Sequence, residues 1–147
     1  MKRISKILMM AMSLLMLWGC MEPKGKQTFA WVIATASPEN TVTGIFANTF
    51  AQKVEELSHG ELRMQVYHNS VLGGDTELLE SVQCGDIPFV VQNTAPEVSY
   101  MPELCLFDLP CAFANIEDLH TVLDNHNFMQ KINKIYEKSD FHLLALA

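Results

Sequence analysis

The chain has 147 residues, of which 49% are hydrophobic and 18% are charged, and its formal net charge at pH 7 is −7. This acidic balance argues against nucleic-acid binding, which depends on a basic surface. After residue 20 no apolar run is long enough to cross a bilayer as a helix, so length and composition fit a single domain.

The first twenty residues have the pattern of an export signal. Basic residues precede a mostly apolar run over residues 7–18, which is too short to span a membrane. The ending LWGC resembles the lipobox of bacterial lipoproteins, which implies lipidation of Cys20 and attachment to a membrane through acyl chains. An ordinary signal peptide that is cleaved nearby is the alternative. Residues 1–20 are therefore predicted to be a signal peptide, and residues 21–28 a polar tether.

The folded part is predicted to begin with a strand and a helix. Phe29–Ala34 is a strand candidate, and the SPEN segment at residues 37–40 is expected to cap the next helix, with Pro38 in its first turn. Apolar residues at helical spacing predict that this helix continues to Gly60. They are Val42, Phe46, Phe50, Val54 and Leu57.

A second strand and a second helix follow. The residues of Leu62–Tyr67 alternate between apolar and polar or aromatic side chains, which predicts a half-buried strand. Apolar residues at helical spacing then predict a helix over Asp75–Cys84. Asp75 is expected to cap the start of this helix, and Gly85 is expected to end it.

The rest of the chain continues the alternation of strands and helices. A nearly continuous apolar run predicts a strand over residues 87–91, in which Pro88 is compatible only with the first positions or an edge. Two helices are expected over residues 115–135, and a further strand over residues 141–147. This order predicts an α/β fold with a mostly parallel sheet, in which ligands bind outside the carboxyl ends of the strands.

Two segments carry a resemblance to a known family, and they read VYHNSVLGGDTELLESVQCGDI and PELCLFDLPCAFAN. In their order and spacing they resemble the solute receptors of tripartite ATP-independent periplasmic (TRAP) transporters, the DctP family. The resemblance extends over residues 29–147. Pro88 departs from it, because members of the family often carry Asp at this position.

The resemblance implies a periplasmic-binding-protein-like (type II) lobe. Family members are two-lobed and much longer than this chain, so residues 29–147 are expected to form a partial N-terminal lobe that is truncated before the second lobe. The first lobe in this family takes strands from both ends of the full chain, which implies an unpaired sheet edge here. A complete single-lobe binding protein is the alternative, since the chain after Cys20 is long enough to bury a core.

The predicted topology selects four candidate ligand-binding residues. Gln92, Asn93 and Thr94 form the polar end of an apolar strand, and amides and hydroxyls orient small polar solutes. Ser37 lies in the loop after the first strand and is a weaker candidate. In the resemblance, Asn93 stands where receptors for sialic-acid-type ligands carry an acidic residue. The alternative is that Asn93 and Thr94 simply cap the next turn.

No catalytic residue, metal ligand or cofactor site is predicted. The five histidines have no metal-binding spacing, and no nucleophile motif is present. After Cys20 the cysteines are Cys84, Cys105 and Cys111, for which a Cys105–Cys111 disulfide and three buried free thiols are both compatible with the spacing. Family members hold the ligand carboxylate with an arginine, yet Arg63 is the only arginine after the signal and is expected on the surface.

The predicted function is a fragment of an extracytoplasmic receptor rather than an enzyme. By resemblance, its ligand would be a small organic acid such as a dicarboxylate or a sugar acid. Its partners would be the membrane permease subunits of a TRAP transporter, and its location would be periplasmic or extracytoplasmic, with a lipid anchor at Cys20. A lipid-anchored interaction module without a small ligand is the alternative.

Overall fold

The computed structural model describes residues 29–146, so the predicted signal, the tether and Cys20 lie outside the described part of the chain. The strands are β1 (Phe29–Ala34), β2 (Leu62–Tyr67) and β3 (Phe89–Val90). The helices are α1 (Val42–Leu57), α2 (Asp75–Cys84), α3 (Thr94–Glu97), α4 (Ile116–Leu123) and α5 (His126–Lys138), with a 3₁₀ helix over Pro102–Asp108. The predicted helices and the first two strands are therefore confirmed.

The strands form one parallel sheet in the order β2-β1-β3. β1 pairs with β2 along its whole length, whereas only its last two residues pair with β3, with Ile33 opposite Phe89 and Ala34 opposite Val90. Parallel strands need crossover connections, and α1 and α2 provide them. The α/β prediction with a parallel sheet is confirmed, and the carboxyl ends of the strands share one edge.

Helices cover both faces of this sheet. Because side chains alternate along a strand, Trp31 and Ile33 point to the opposite face from Ala34. On the first face the ring of Phe89 lies 5.5 Å from that of Trp31 and 6.3 Å from that of Phe50 in α1. On the second face α2 contributes Leu78 to a buried cluster with Ala34 and Ile87. A further core lies beyond β3 and consists of Leu79, Met101, Leu104, Ile132, Tyr136 and Phe141.

The cap of α1 differs from the prediction. Thr41 is the N-cap, and its hydroxyl oxygen accepts a hydrogen bond from the Gly44 N–H at 3.2 Å. The SPEN segment instead folds back over the first turn, where a Cβ on Gly44 would collide with the Pro38 carbonyl oxygen. The prediction that Pro38 lies in the first helical turn is therefore wrong, because Pro38 belongs to the turn that precedes the N-cap Thr41.

The start of α2 is displaced by one residue from the predicted cap. Gly74 is the N-cap, and the Glu77 carboxylate accepts a hydrogen bond from its backbone N–H. Asp75 is instead the first helical residue, where its charge still complements the positive end of the helix dipole. The predicted C-terminus is confirmed, since Gly85 has a φ of 80°, a conformation that glycine adopts without strain.

The last part of the described chain does not form the predicted strand. Residues 141–146 line a cavity together with β3 but make no ladder with it. Phe141 is anchored at the end of α5 instead, because its N–H donates to the Tyr136 carbonyl oxygen at 3.0 Å and its ring lies 6.1 Å from that of Tyr100. The strand predicted over residues 87–91 is also shorter than expected, and Pro88 precedes it.

Candidate functional site

A cavity of about 300 Å³ lies at the carboxyl end of β3, and we call it the sheet-end cavity. The first turn of α1 forms one wall, and the residues that follow β3 form another. None of the described lining residues is charged. They are Val42, Thr43, Phe46, Val91, Gln92, Asn93, Thr94, Phe107, Phe113, Leu119, Leu123, Ala145 and Leu146.

The predicted residues Asn93 and Thr94 both line this cavity. The Thr43 hydroxyl donates to Asn93 Oδ1 at 3.2 Å, so the Asn93 amide nitrogen remains a donor for another group. The Thr94 hydroxyl donates to Asp108 Oδ1 at 3.5 Å, which leaves the lone pairs of its oxygen as acceptors. The cavity therefore presents a donor and an acceptor side by side.

The N-terminus of α1 adds a further polar feature. Val42 and Thr43, the first two residues of this 16-residue helix, line the cavity. Backbone N–H groups at the start of a helix have no partner within the helix, and the helix dipole places a partial positive charge there. In the sheet-end cavity this end of α1 is the feature that favours an anion.

Gln92 stands between the sheet-end cavity and a second one. The second cavity, of about 160 Å³, lies between β3 and residues 141–146, and we call it the edge groove. Both polar atoms of the Gln92 side chain are buried, and neither has a hydrogen-bond partner within residues 29–146. A buried amide without partners costs free energy, so this side chain is available to a group that enters either cavity.

A buried polar pair lies beside Gln92 in the edge groove. Glu97 at the end of α3 is 8% exposed, and its carboxyl group accepts a hydrogen bond from the hydroxyl of Tyr136 in α5. Burial raises the pKa of the Glu97 carboxyl, while Tyr136 and the nearby Gln92 amide oppose that rise. Burial and the neighbouring Glu97 raise the pKa of Tyr136, so its hydroxyl keeps its proton and acts as the donor.

Ser37 is separated from the other three predicted residues. It lines neither cavity; its N–H donates to Thr35 Oγ1 at 3.2 Å, and its carbonyl oxygen accepts from the Asn69 N–H at 3.1 Å. The bond from Asn69 ties together the loops that follow β1 and β2. The structure thus brings Gln92, Asn93 and Thr94 to one cavity. Ser37 lies outside this cavity, in the loop that follows β1.

Three polar residues of this region were not predicted. Thr43 lies among the apolar positions that predicted α1, and Glu97 and Tyr136 are 39 residues apart in the sequence. Glu97, which follows Pro96, belongs to no recognisable motif. A single acidic residue after a short polar stretch is normally expected to be exposed to solvent. Only the packing of α5 against α3 reveals that it is buried.

The remaining candidates behave as surface groups. Arg63 pairs with Glu55 at 3.1 Å, and its side chain is 64% exposed, as expected for a surface residue. Cys84, Cys105 and Cys111 are free thiols, so no disulfide joins the last two. The alternative that these thiols are buried is wrong, because Cys84 at the end of α2, Cys105 within the 3₁₀ helix and Cys111 in a turn are all exposed.

Among residues 29–146, no helix has both the length and the apolar character that crossing a bilayer requires. Across the same span, no group of three or more His, Cys, Asp or Glu side chains is arranged to hold a metal ion.

Comparison with known proteins identifies the family. The sequence profile of DctP, described as bacterial extracellular solute-binding protein, family 7, matches residues 33–147. The C4-dicarboxylate-binding protein DctB of Bacillus subtilis (strain 168) is 38% identical over 87 residues, which cover 59% of this chain and 24% of that protein.

Solved structures share the fold. The sugar acid binding protein DctPAm from Advenella mimigardefordensis, in complex with galactonate, matches with a TM-score of 0.70 and 28% identity over 78% of this chain and 37% of that one. A TRAP periplasmic solute binding protein from Sulfurospirillum deleyianum with bound succinate matches with a TM-score of 0.68 and 30% identity. That match covers 75% of this chain and 35% of the other. The chain therefore spans about a quarter to a third of the length of these proteins, and by its sequence and its fold it belongs to the DctP family of bacterial extracellular solute-binding proteins.

Proposed function

We propose that the chain forms one wall of the ligand site of an extracytoplasmic receptor for small organic acids. The observation that carries this proposal is the position of Gln92, Asn93 and Thr94, which follow β3 and line the sheet-end cavity beside the first turn of α1. In parallel α/β sheets this edge is where ligands bind. The function is that of a binding protein and involves no chemical step.

The chemistry of the cavity suits an organic acid. Its lining is mostly apolar, with a few convergent polar groups, which is the usual composition of a small-molecule site. The Asn93 amide nitrogen and the start of α1 offer donors to a carboxylate, and Thr94 offers an acceptor to a hydroxyl group. The galactonate and succinate bound by the two matched structures are acids of this class.

The whole receptor and its partners form the second part of the proposal. Because the match covers only 37% and 35% of the two solved structures, we infer that a second lobe would close the cavity and supply the arginine that holds a carboxylate. Hinge closure around the ligand would then present the complex to TRAP permease subunits. A signal over residues 1–20 and lipidation of Cys20 would place the receptor outside the cytoplasm at a membrane surface.

A backbone-amide NMR titration of the 147-residue chain with galactonate tests the binding proposal. We expect millimolar, saturable shifts of Thr43, Asn93 and Thr94, because one wall without a cation binds weakly. The Asn93→Ala variant should lose these shifts, whereas the matched surface variant Asn127→Ala should keep them. Shifts that fail to saturate, or that are spread evenly over the chain, would favour the alternative of an interaction module without a small ligand.

Lipidation is tested separately from binding. Replacing Cys20 with Ser should abolish palmitate labelling of the expressed chain and release it from the membrane fraction. If labelling and fractionation are unchanged in Cys20→Ser, an ordinary signal peptide is the better interpretation of residues 1–20.

A further inference from the structure

We propose that the edge groove binds a small organic ammonium group, with the Glu97 carboxylate as its counter-charge. The inference concerns the edge groove rather than the sheet-end cavity, so it does not rest on the proposed function. Three features of the groove coincide and carry it: a buried carboxyl group without a cationic partner, an amide without a partner, and aromatic walls.

The first feature is the buried acid. Glu97 lines the groove, and its carboxyl group accepts a hydrogen bond from the uncharged hydroxyl of Tyr136. Within residues 29–146, however, no Lys, Arg or His side chain forms an ion pair with Glu97. Buried carboxylates are normally paired with a cation, because an uncompensated charge away from water costs free energy. An ammonium group that enters the groove would supply the missing positive charge.

The second feature is the side-chain amide of Gln92, which lines the same groove. Its oxygen is buried and has no hydrogen-bond partner in the described part of the chain. A primary ammonium group has three N–H donors, whereas a carboxylate and an amide oxygen are acceptors. One ammonium group therefore has donors for both Glu97 and Gln92 Oε1. An anion in the same place would be repelled by the Glu97 carboxylate.

The third feature is the aromatic wall of the groove. Phe46, Phe50, Phe89 and Phe141 line it, and the rings of Phe50 and Phe89 lie 6.3 Å apart with their planes tilted by 52°. Aromatic faces attract cations and also cover apolar groups, so they suit an ammonium group that carries an alkyl chain. A metal ion fits less well, because residues 29–146 contain no cluster of three or more His, Cys, Asp or Glu side chains that could hold one. The groove volume of about 160 Å³ is that of a small-ligand site.

Butylammonium and 1-butanol form a matched pair for the test, since they share the alkyl chain and only butylammonium carries a charge. NMR titrations of the 147-residue chain at about pH 8, where carboxyl groups are ordinarily ionised and alkylamines protonated, follow the Gln92 side-chain amide and the Phe89 ring. We expect butylammonium to bind at least about tenfold more tightly, the effect of one charge-assisted hydrogen bond. Equal affinities, or no saturable shift with butylammonium, would overturn the inference. Neither result bears on galactonate binding, so the proposed function is tested separately.

The Glu97→Gln variant tests the counter-charge directly. Its side chain keeps the size and can still accept from Tyr136, but it carries no charge. We expect the affinity for butylammonium to fall about tenfold, while the affinity for 1-butanol and the backbone signals of the core stay unchanged. The exposed Glu103→Gln removes the same charge from the surface and should bind butylammonium as the wild type does. Unchanged affinity in Glu97→Gln, or an equal loss in Glu103→Gln, would overturn the inference. If Glu97→Gln does not fold, the comparison of the two ligands on the wild type decides.

Discussion

Replacing Gly44 with Ala should destabilise the fold, although Ala is the better helix former. In the interior of a helix Ala is favoured over Gly by about 1 kcal/mol. At position 44, however, a Cβ would lie 2.7 Å from the Glu39 carbonyl oxygen and 2.8 Å from the Glu39 Cα, and still closer to the Pro38 carbonyl oxygen. These are backbone atoms, so relief requires the whole loop before α1 to move.

Moving that loop breaks further contacts. The Thr41 hydroxyl donates to the Pro38 carbonyl oxygen at 2.6 Å, and the Thr41 N–H donates to the same oxygen at 3.2 Å. Each hydrogen bond contributes about 1 kcal/mol, and overpacking costs a further 1–3 kcal/mol or so. Together they exceed the gain in helix propensity, and we expect a net loss of roughly 2–4 kcal/mol.

Urea unfolding followed by circular dichroism measures this loss. The matched control is Thr49→Ala on the exposed side of α1, where the Thr hydroxyl bonds only to the Ile45 carbonyl oxygen of the same helix. Because Ala has a higher helix propensity than Thr, Thr49→Ala should leave the free energy of unfolding unchanged or slightly increased. If Gly44→Ala raises the free energy of unfolding as Thr49→Ala does, the close contact between loop and helix does not exist.

Two further predictions concern charge and the sheet edge. Because burial raises the pKa of Glu97 above 4.5, its folded state binds the proton more tightly than its unfolded state. The resulting stability is present below pH 4.5 and is lost as pH rises through the folded pKa, so the wild type should lose more thermal stability over this window than Glu97→Gln. The free edge of β3 beside the 58%-exposed Leu144 should promote self-association. Light scattering should show smaller particles for Leu144→Lys, and a monomeric wild type would contradict this.

Local periodicity explains which elements could be predicted. Leu62–Tyr67 alternates, and the apolar residues of α1 recur at helical spacing, so each sequence window contains the information that determines its element. Cap positions failed because they depend on which oxygen reaches the first free N–H groups. Thr41 and Gly74 became caps through the fold of the preceding turns, although SPEN and Asp75 carry the better local signals.

Pairing and burial could not be predicted in the same way. The apolar pattern of residues 141–147 is compatible with a strand, but a strand also needs a neighbour, and Phe141 is held at the end of α5. The carboxyl group of Glu97 is buried where it accepts a hydrogen bond from Tyr136, which is 39 residues away in the sequence. Gln92 was selected for its place at the end of an apolar strand, whereas its lack of a partner follows from packing around both cavities.

The neutral lining of the sheet-end cavity limits what this wall can contribute to binding. A millimolar dissociation constant corresponds to about −4.1 kcal/mol, whereas a micromolar one needs about −8.2 kcal/mol. The start of α1 contributes about 0.3–1 kcal/mol toward an anion, and each neutral hydrogen bond from Asn93 or Thr94 about 1 kcal/mol. These terms account for millimolar binding at most. If the proposed receptor binds an acid with micromolar affinity, the further free energy would have to come from outside this cavity, for example from a cation.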